Sequence, residues 1–260
     1  MSTAVKTKHE VTVKGRTSHH GGGKFPTGDQ WAEFHRQVEA GLWPPERMDE
    51  ALIMASHPPS FDRARHLLVD EFLPAEEIIG ALSMLYAKSG LEELSSAFPG
   101  KVVVDRCKES NLILVAGPPE DLTLADIARK FPNFLNSQDI AKIANEKFFG
   151  QEVVRKGWLA IGRGPLFQST FKPLREQINL LGRGWRVPNV PEIVWATLAY
   201  LNLRGRQLLS GQRVRSSSVN AKGQYICVGP ISTDLKLGIS SDFPNEKAYG
   251  YLGLAYALRF

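Results

Sequence analysis

Apolar residues recur at steps of three and four along residues 29–98, and this spacing predicts a series of short helices. Asp29 suits the first helix N-cap, and prolines separate several of the apolar stretches. The outer faces of these segments carry acidic residues. The predicted helices cover residues 29–42, 45–55, 61–72, 75–85 and 91–98.

The pattern then changes to short runs rich in β-branched residues. Lys101–Cys107 and Asn111–Ala116 are predicted to be two strands of a hairpin that begins after Gly100. Two helices follow, over Leu122–Phe131 and Ser137–Phe148. A helix-turn-helix DNA reader is one interpretation of this pair. The mixed charge of the second helix favours the other one, a packed helical pair.

A third pattern starts near residue 150. Trp158–Ile161 is a predicted strand, and Leu174–Leu181 is a predicted short helix. Pro191–Leu203 is apolar on nearly all sides, so it is predicted to be a helix buried in the interior. Predicted strands then cover residues 214–219, 225–228, 235–239 and 250–258. The last of these is expected to be the closing strand of a domain, because so apolar a segment needs packing.

Charge divides the chain into blocks. Residues 1–28 are basic and Gly-rich and read as a flexible arm. Residues 29–152 hold 12 basic and 21 acidic residues, whereas residues 153–222 hold 12 basic and 2 acidic residues. We therefore predict a basic arm (1–28), an acidic, mainly helical module (29–150) and a basic C-terminal domain (151–260). The two charged blocks could pair with each other, or the basic one could bind an outside polyanion.

Several kinds of chemistry lack a signature in the sequence. Cys107 and Cys227 are neither in a CxxC pair nor near clustered histidines, so they are predicted to be buried thiols and not zinc ligands, with a disulfide or a nucleophilic cysteine as the alternatives. The adjacent His19 and His20 would make only a weak metal site. We predict no cofactor and no metal. No HExxH, GxSxG or P-loop spacing occurs, which favours binding over catalysis, with an enzyme as an open alternative.

The apolar segments are too short for a membrane-spanning helix, and this bears on the cellular location of the protein. No apolar run approaches the roughly 18 to 20 residues of a membrane helix, and the first residues do not resemble a signal peptide. A cytoplasmic protein with no membrane partner is expected. The oligomeric state is open.

Short motifs of the C-terminal half carry a resemblance. About residues 150–260 resemble an uncharacterised family associated with candidate-phyla bacteria. The matching segments are 157–161, 169–172, 176–181, 187–188, 208–209, 214–217, 223–229 and 252–260.

The order of these segments is also similar to a C-type-lectin-like domain of the formylglycine-generating-enzyme type. Val187-Pro188 before the buried helix, then Arg215-Ser-Ser217, then Gly253-Leu254 with Arg259 take the places of that domain's motifs. Arg215 is followed by serines where the pattern has two glycines, and the paired catalytic cysteines have no counterpart. The resemblance implies a lectin-like mixed α/β domain. Together with the helical module and β-hairpin that the residue pattern predicts, the expected fold class is α+β. The resemblance does not imply formylglycine-generating activity.

The same fold serves as the variable protein of diversity-generating retroelements, where late residues form a diversified binding surface. The matching region here is about 231–251, which is polar with aromatic anchors, a composition that suits binding. The predicted function is thus non-enzymatic binding of a protein or small ligand through late loops. The candidate ligand-binding residues are Ser240, Ser241, Asp242, Phe243, Asn245 and Tyr249.

The alternative function is nucleic-acid binding by the arginine-rich segment 153–222. Arginine favours forked contacts with phosphate, and Trp158 and Trp185 would supply stacking surfaces. The candidate polyanion-binding residues are Arg163, Arg175, Arg183, Arg186, Arg213 and Arg215, with Arg204 and Arg206 nearby.

Overall fold

The structure, a computed structural model, describes residues 58–209, 211–231, 236–241 and 243–260. The predicted arm and the helices predicted over 29–42 and 45–55 lie outside the described residues. The described helices are α1 (Pro59–Leu68), α2 (Ala75–Leu82), α3 (Lys88–Ser96), α4 (Lys101–Glu109), α5 (Leu124–Lys130), α6 (Ser137–Ile143), α7 (Lys147–Gln151), α8 (Leu174–Asn179) and α9 (Val190–Arg204). The described strands are β1 (Phe72–Leu73), β2 (Leu112–Ala116), β3 (Leu122–Thr123), β4 (Val153–Val154), β5 (Trp158–Gly162), β6 (Trp185–Arg186), β7 (Arg213–Val219), β8 (Tyr225–Ile231), β9 (Leu237–Ser240), β10 (Leu252–Leu254) and β11 (Ala257–Leu258).

Two main sheets organise these elements. The five-stranded sheet has the order β1-β2-β5-β11-β6, and the four-stranded sheet has the order β10-β7-β8-β9. β3 and β4 form a separate two-stranded pair. Strand β2 pairs parallel with β1 and antiparallel with β5. Because β10 and β11 are separated by only two residues, the segment 252–258 belongs to both main sheets.

The five-stranded sheet is covered by apolar residues on both faces, as the complete burial of β2 shows. Ile113 and Val115 belong to one apolar cluster, which also contains the core residues of α9 and of the four-stranded sheet. Leu112 and Leu114 belong to a second cluster, built with α1 and α4. The alternation follows from the two-residue period of a strand, which sends successive side chains to opposite faces.

Helix α9 is the buried helix that the sequence predicts. Asn189 and Glu192 form a capping box at its start, Pro191 lies in its first turn, and Gly205 ends it with a φ of 62°. The helix packs against strands of both main sheets. Trp195 is fully buried, and its indole N–H donates to the Ala116 carbonyl over 2.9 Å. Packing on all sides explains why this helix has no polar face.

The predicted hairpin is wrong, because its first strand is helix α4. Val104 and Cys107 lie three residues apart and are both fully buried, whereas Val102 is 78% exposed. That spacing places one face of a helix against α1. Arg63 of α1 also pairs with Asp105. Contacts with α1 thus override the strand preference of a valine run. The second predicted strand is confirmed as β2, which pairs with β5 and β1.

Other predicted elements are confirmed with changed bounds. The segment predicted as a helix over 122–131 begins with the short strand β3, and the one predicted over 137–148 ends at residue 143 and is followed by α7. The predicted closing strand is divided into β10 and β11. Both cysteines are buried thiols, as predicted. The described residues form an α+β fold, and the lectin-like arrangement stays a prediction.

The division of the chain at residue 150 also stays a prediction. One sheet and one apolar cluster contain residues from both sides of it, since β2 pairs with β5 along five residues. Ion pairs join the two charge blocks as well. They are Arg163–Glu71, Lys156–Glu93, Arg204–Glu77 and Arg206–Asp70.

Within the described ranges, no helix combines the length and apolar character that spanning a membrane requires. The same ranges contain no group of three or more His, Cys, Asp and Glu side chains placed to hold a metal ion.

Candidate ligand-binding surface

Three aromatic side chains of the late loops pack against one another at the protein surface. The ring centroids of Phe243 and Tyr249 are 5.3 Å apart, those of Phe243 and Tyr251 are 6.0 Å apart, and those of the two tyrosines are 5.8 Å apart. The edge-on and tilted geometry is favourable for aromatic pairs. Tyr251 is 49% exposed, and the other two rings are half-buried. The cluster is therefore ordered by its own contacts yet open to solvent.

Phe171, from a distant part of the chain, adjoins this cluster through Gly250 and the backbone of Tyr249, and not through a contact between rings. Its ring lies against Gly250, where an added Cβ would come within 2.5 Å of the ring. Its backbone N–H donates to the Tyr249 carbonyl over 3.0 Å. The side chain is nevertheless 76% exposed. We call the surface formed by Phe171, Phe243, Tyr249 and Tyr251 the aromatic surface.

The loop that carries Phe171 is held in an unusual conformation. Gln168 and Phe171 both have positive φ values, of 60° and 58°, which non-glycine residues seldom adopt. Ser169 between them is fully buried, and its Oγ accepts the Leu254 N–H over 3.0 Å. Phe167 of this loop is 82% exposed. The loop thus keeps a polar residue inside and two phenylalanines outside, and such strain occurs preferentially at functional sites.

Arg213 adds a cation to the edge of the aromatic surface. Its guanidinium lies 5.6 Å from the Phe243 ring centroid, and its Nη1 donates to the Ser240 hydroxyl over 3.2 Å. Its backbone N–H donates to the Tyr251 carbonyl. Within the described part of the chain, no carboxylate forms an ion pair with this side chain. The Arg213 guanidinium is therefore held in place without an ion-pair partner among the described residues.

A buried arginine fixes the position of the late loop. Arg215 is fully buried, and its Nη1 donates to the Gln177 side-chain oxygen over 2.8 Å. Its Nη2 donates to the carbonyls of Pro244 and Lys247 over 3.2 and 3.1 Å. Burial lowers the pKa of this guanidinium, as expected for a cation removed from water. The amide of Gln177 in turn donates to the carbonyls of Ser169 and Leu252. Loop 244–247, helix α8 and the Phe171 loop are thus fixed to one another.

The remaining predicted ligand-binding residues have different surroundings. Asn245 makes structural contacts: its side chain accepts the Tyr225 N–H and donates to the Gly223 carbonyl. The Ser240 hydroxyl accepts a hydrogen bond from Arg213, and Ser241 is half-buried. Asp242 lies outside the described residues. Beside this loop is an open groove of about 530 Å³. Its lining residues are Pro173, Leu174, Arg175, Ile178, Asn179, Asn245 and Glu246.

Most of the arginines of the alternative function are engaged inside the protein. Arg163 pairs with Glu71 and also lies over the Tyr200 ring, and Arg186 makes two 2.7 Å hydrogen bonds to Glu192. Arg204 and Arg206 pair with the acidic block, and Arg215 is buried. Within the described ranges, Arg175 and Arg183 are the members of this set that are exposed and form no ion pair.

A polar cluster surrounds the start of α9. Ser218 donates to Glu152 and accepts the Val190 N–H, while Glu192 caps the helix and pairs with Arg186. Burial raises the pKa of Glu152, although the hydrogen bond from Ser218 acts in the opposite direction. Each of these side chains makes a hydrogen bond or ion pair within the fold, so we assign the cluster a structural role at the start of α9.

Comparisons of the chain with protein-family models, with curated proteins and with solved structures gave no match.

Proposed function

We propose that this chain is a binding protein that takes a protein or small ligand on the aromatic surface. The observation that carries the proposal is the exposure of Phe171 and Tyr251 on loops that the core holds firmly. Ordinary loop residues at solvent are polar, and exposed apolar groups that cluster mark binding sites. Loops on a rigid scaffold are also where binding residues concentrate.

The rigid positioning of the loops supports binding and not catalysis. The network of Arg215 and Gln177 fixes the loops before any partner arrives, which lowers the entropy cost of association. Tyrosine and phenylalanine give large contact areas with few rotatable bonds. Around these rings, no described pair of side chains has the geometry of a nucleophile and its base.

The finer proposal is that residues from about 150 onward form a C-type-lectin-like domain whose late loops are diversified. It is supported by the place of the aromatic surface, which includes two of the predicted residues, Phe243 and Tyr249. A near-copy of the coding sequence for residues 231–251 beside the gene, differing at adenines, would support diversification. A neighbourhood without such a repeat would remove that part of the proposal. The cytoplasmic location stays a prediction.

The binding function is tested with a random-peptide display library selected on the wild-type chain. The test variant carries Phe171→Ser and Tyr251→Ser, and the matched control carries Leu85→Ser, which changes an 87% exposed leucine. We expect the selected peptides to lose binding to the test variant and to keep binding to the control. Equal binding to both variants, with circular dichroism showing intact folds, would contradict the proposal.

The alternative, polyanion binding by residues 153–222, has less support, because ion pairs or burial occupy most of its arginines. It predicts retention on a heparin column and elution that depends steeply on salt. Arg175→Gln with Arg183→Gln should then lower the eluting salt concentration. A chain that does not bind the column at low salt would exclude this function.

A further inference from the structure

Arg213 lies beside the aromatic surface, and most N–H groups of its guanidinium donate to no described residue. Its described contacts are one hydroxyl, one ring face and the backbone hydrogen bond that links it to Tyr251. The other arginines that approach carboxylates in this fold form ion pairs with them, as Arg186 and Arg204 do. The Asp139 carboxylate and the Arg213 guanidinium both approach Gly238, but they form no ion pair. A guanidinium that no described carboxylate pairs with, and that lies over a ring of an exposed cluster, is available to an outside anion.

The rest of the surface favours a carboxylate over a phosphate. Phosphate carries close to two charges and is commonly held by several cations or by a helix N-terminus. Here a single guanidinium contacts the cluster, and the late loop adds no net charge because Glu246 is followed by Lys247. One planar guanidinium matches one planar carboxylate through two parallel hydrogen bonds. The hydroxyls of Tyr249 and Tyr251 make no hydrogen bond to a described residue, so they are further donors at this surface.

The aromatic rings define what must accompany that carboxylate. Phe171 and Tyr251 expose ring surface to water, and covering that surface with apolar groups of a ligand lowers the free energy. A small free carboxylic acid would leave most of this area in water. The Arg213 guanidinium is 5.6 Å from the Phe243 ring centroid, which is 6.0 Å from that of Tyr251. A ligand that carries a carboxylate beside an apolar side chain therefore covers both features at once.

We propose that the aromatic surface recognises an acidic segment of a partner protein, in which Asp or Glu stands next to an aromatic or aliphatic residue, and that Arg213 binds the carboxylate. This inference rests on the proposed binding function and adds the class of partner. Arg213 is positioned before binding by Ser240 and Phe243, so little side-chain entropy is lost when the carboxylate arrives.

The test uses the same peptide display library, selected in parallel on the wild-type chain, on Arg213→Gln and on Arg175→Gln. The last variant is the control, because it removes an exposed arginine of the neighbouring groove. Peptides from the wild type and the control are expected to be enriched in Asp and Glu beside apolar residues. Peptides from Arg213→Gln should lose that enrichment, and the wild-type peptides should bind Arg213→Gln about tenfold or more weakly.

The outcomes separate this inference from the binding function. Peptides that need Phe171 and Tyr251 but show no acidic enrichment would overturn the inference and leave the binding function standing. Peptides that bind without those two rings would overturn both. Acidic peptides that bind Arg213→Gln as tightly as the wild type would show that another group takes the carboxylate, and this too overturns the inference. Displacement of the peptides by a short oligonucleotide, but not by free glutamate-rich peptide, would assign the surface to phosphate.

Discussion

Replacing Arg215 with methionine tests how the late loop is held. The substitution keeps a long side chain in the interior and removes three hydrogen bonds, to Gln177 and to the carbonyls of Pro244 and Lys247. The Pro244 carbonyl keeps the Lys247 N–H as a donor over 3.3 Å. The Gln177 side-chain oxygen loses its described partner in buried surroundings, whereas the carbonyl of the exposed Lys247 loses its partner at a partly buried position.

The expected cost follows from those two acceptors. An unsatisfied buried acceptor costs about 1 to 3 kcal/mol, and the loss of hydrogen bonds to a charged donor acts in the same direction. Part of this is offset, because a buried guanidinium whose Nε has no hydrogen-bond partner no longer has to be desolvated. We expect a net loss of about 2 to 4 kcal/mol in the free energy of unfolding. For a chain of this size that lowers Tm by about 4 to 16 °C.

Two measurements check the prediction. Calorimetry compares Arg215→Met with Arg175→Met, which changes an exposed arginine and should leave Tm within about 2 °C of the wild type. Trypsin cleavage after Lys247, measured well below Tm, should be faster in Arg215→Met because its carbonyl has lost an anchor. The double variant with Gln177→Leu should be less destabilised than the two single changes added together.

A fall in Tm no larger than that of Arg175→Met would refute the reasoning. So would a large fall in Tm without any change in cleavage after Lys247, because the arginine would then support the core and not the loop.

Three further predictions concern other parts of the fold. Because burial raises the pKa of Glu152, the folded state binds the carboxyl proton more tightly than the unfolded state. Glu152→Gln should therefore stabilise the protein near pH 7, where the wild-type carboxylate is charged, and not near pH 4. Denaturant unfolding that shows the same stabilisation at the two pH values would contradict this. Val104→Ala should cost about 2 kcal/mol in the same assay while Val102→Ala costs less than about 0.5, whereas equal costs would contradict the helix. Arg204→Met should cost about 2 to 3 kcal/mol, because two backbone carbonyls and a carboxylate lose their donor, and an unchanged unfolding midpoint would show that solvent replaces it.

Sequence patterns predict elements well where the signals are local. Helix α9 combines a capping box, an early proline and a terminal glycine, and these depend on neighbouring residues alone. The same reasoning fails for residues 101–107. A run of three valines fits a strand locally, and only packing against α1 shows that Val104 and Cys107 share a helix face. Side-chain spacing within a short segment cannot reveal the partner that selects between the two.

The candidate site is split in the same way. Phe243 and Tyr249 could be predicted because they stand out in a polar stretch. Phe171 comes from about 80 residues earlier and joins them through the close approach of its ring to Gly250, which no local pattern contains. Two arginines on strand β7, Arg213 and Arg215, look equivalent in the sequence. Helix α8 and the late loop bury the second and leave the first at the surface.

The double membership of residues 252–258 has a consequence for biosynthesis. These residues are translated after every other described strand, yet β11 lies between β5 and β6, and β10 closes one edge of the other sheet. While a ribosome still holds this segment, β6 has no neighbour in its sheet and β7 lacks one of its two. Strand β5 likewise lacks its second neighbour until β11 emerges, so Ile161 waits for its partner Ala257. We expect a nascent chain that stays open to chaperones until residues 252–258 emerge, and then gains protection in both sheets at once.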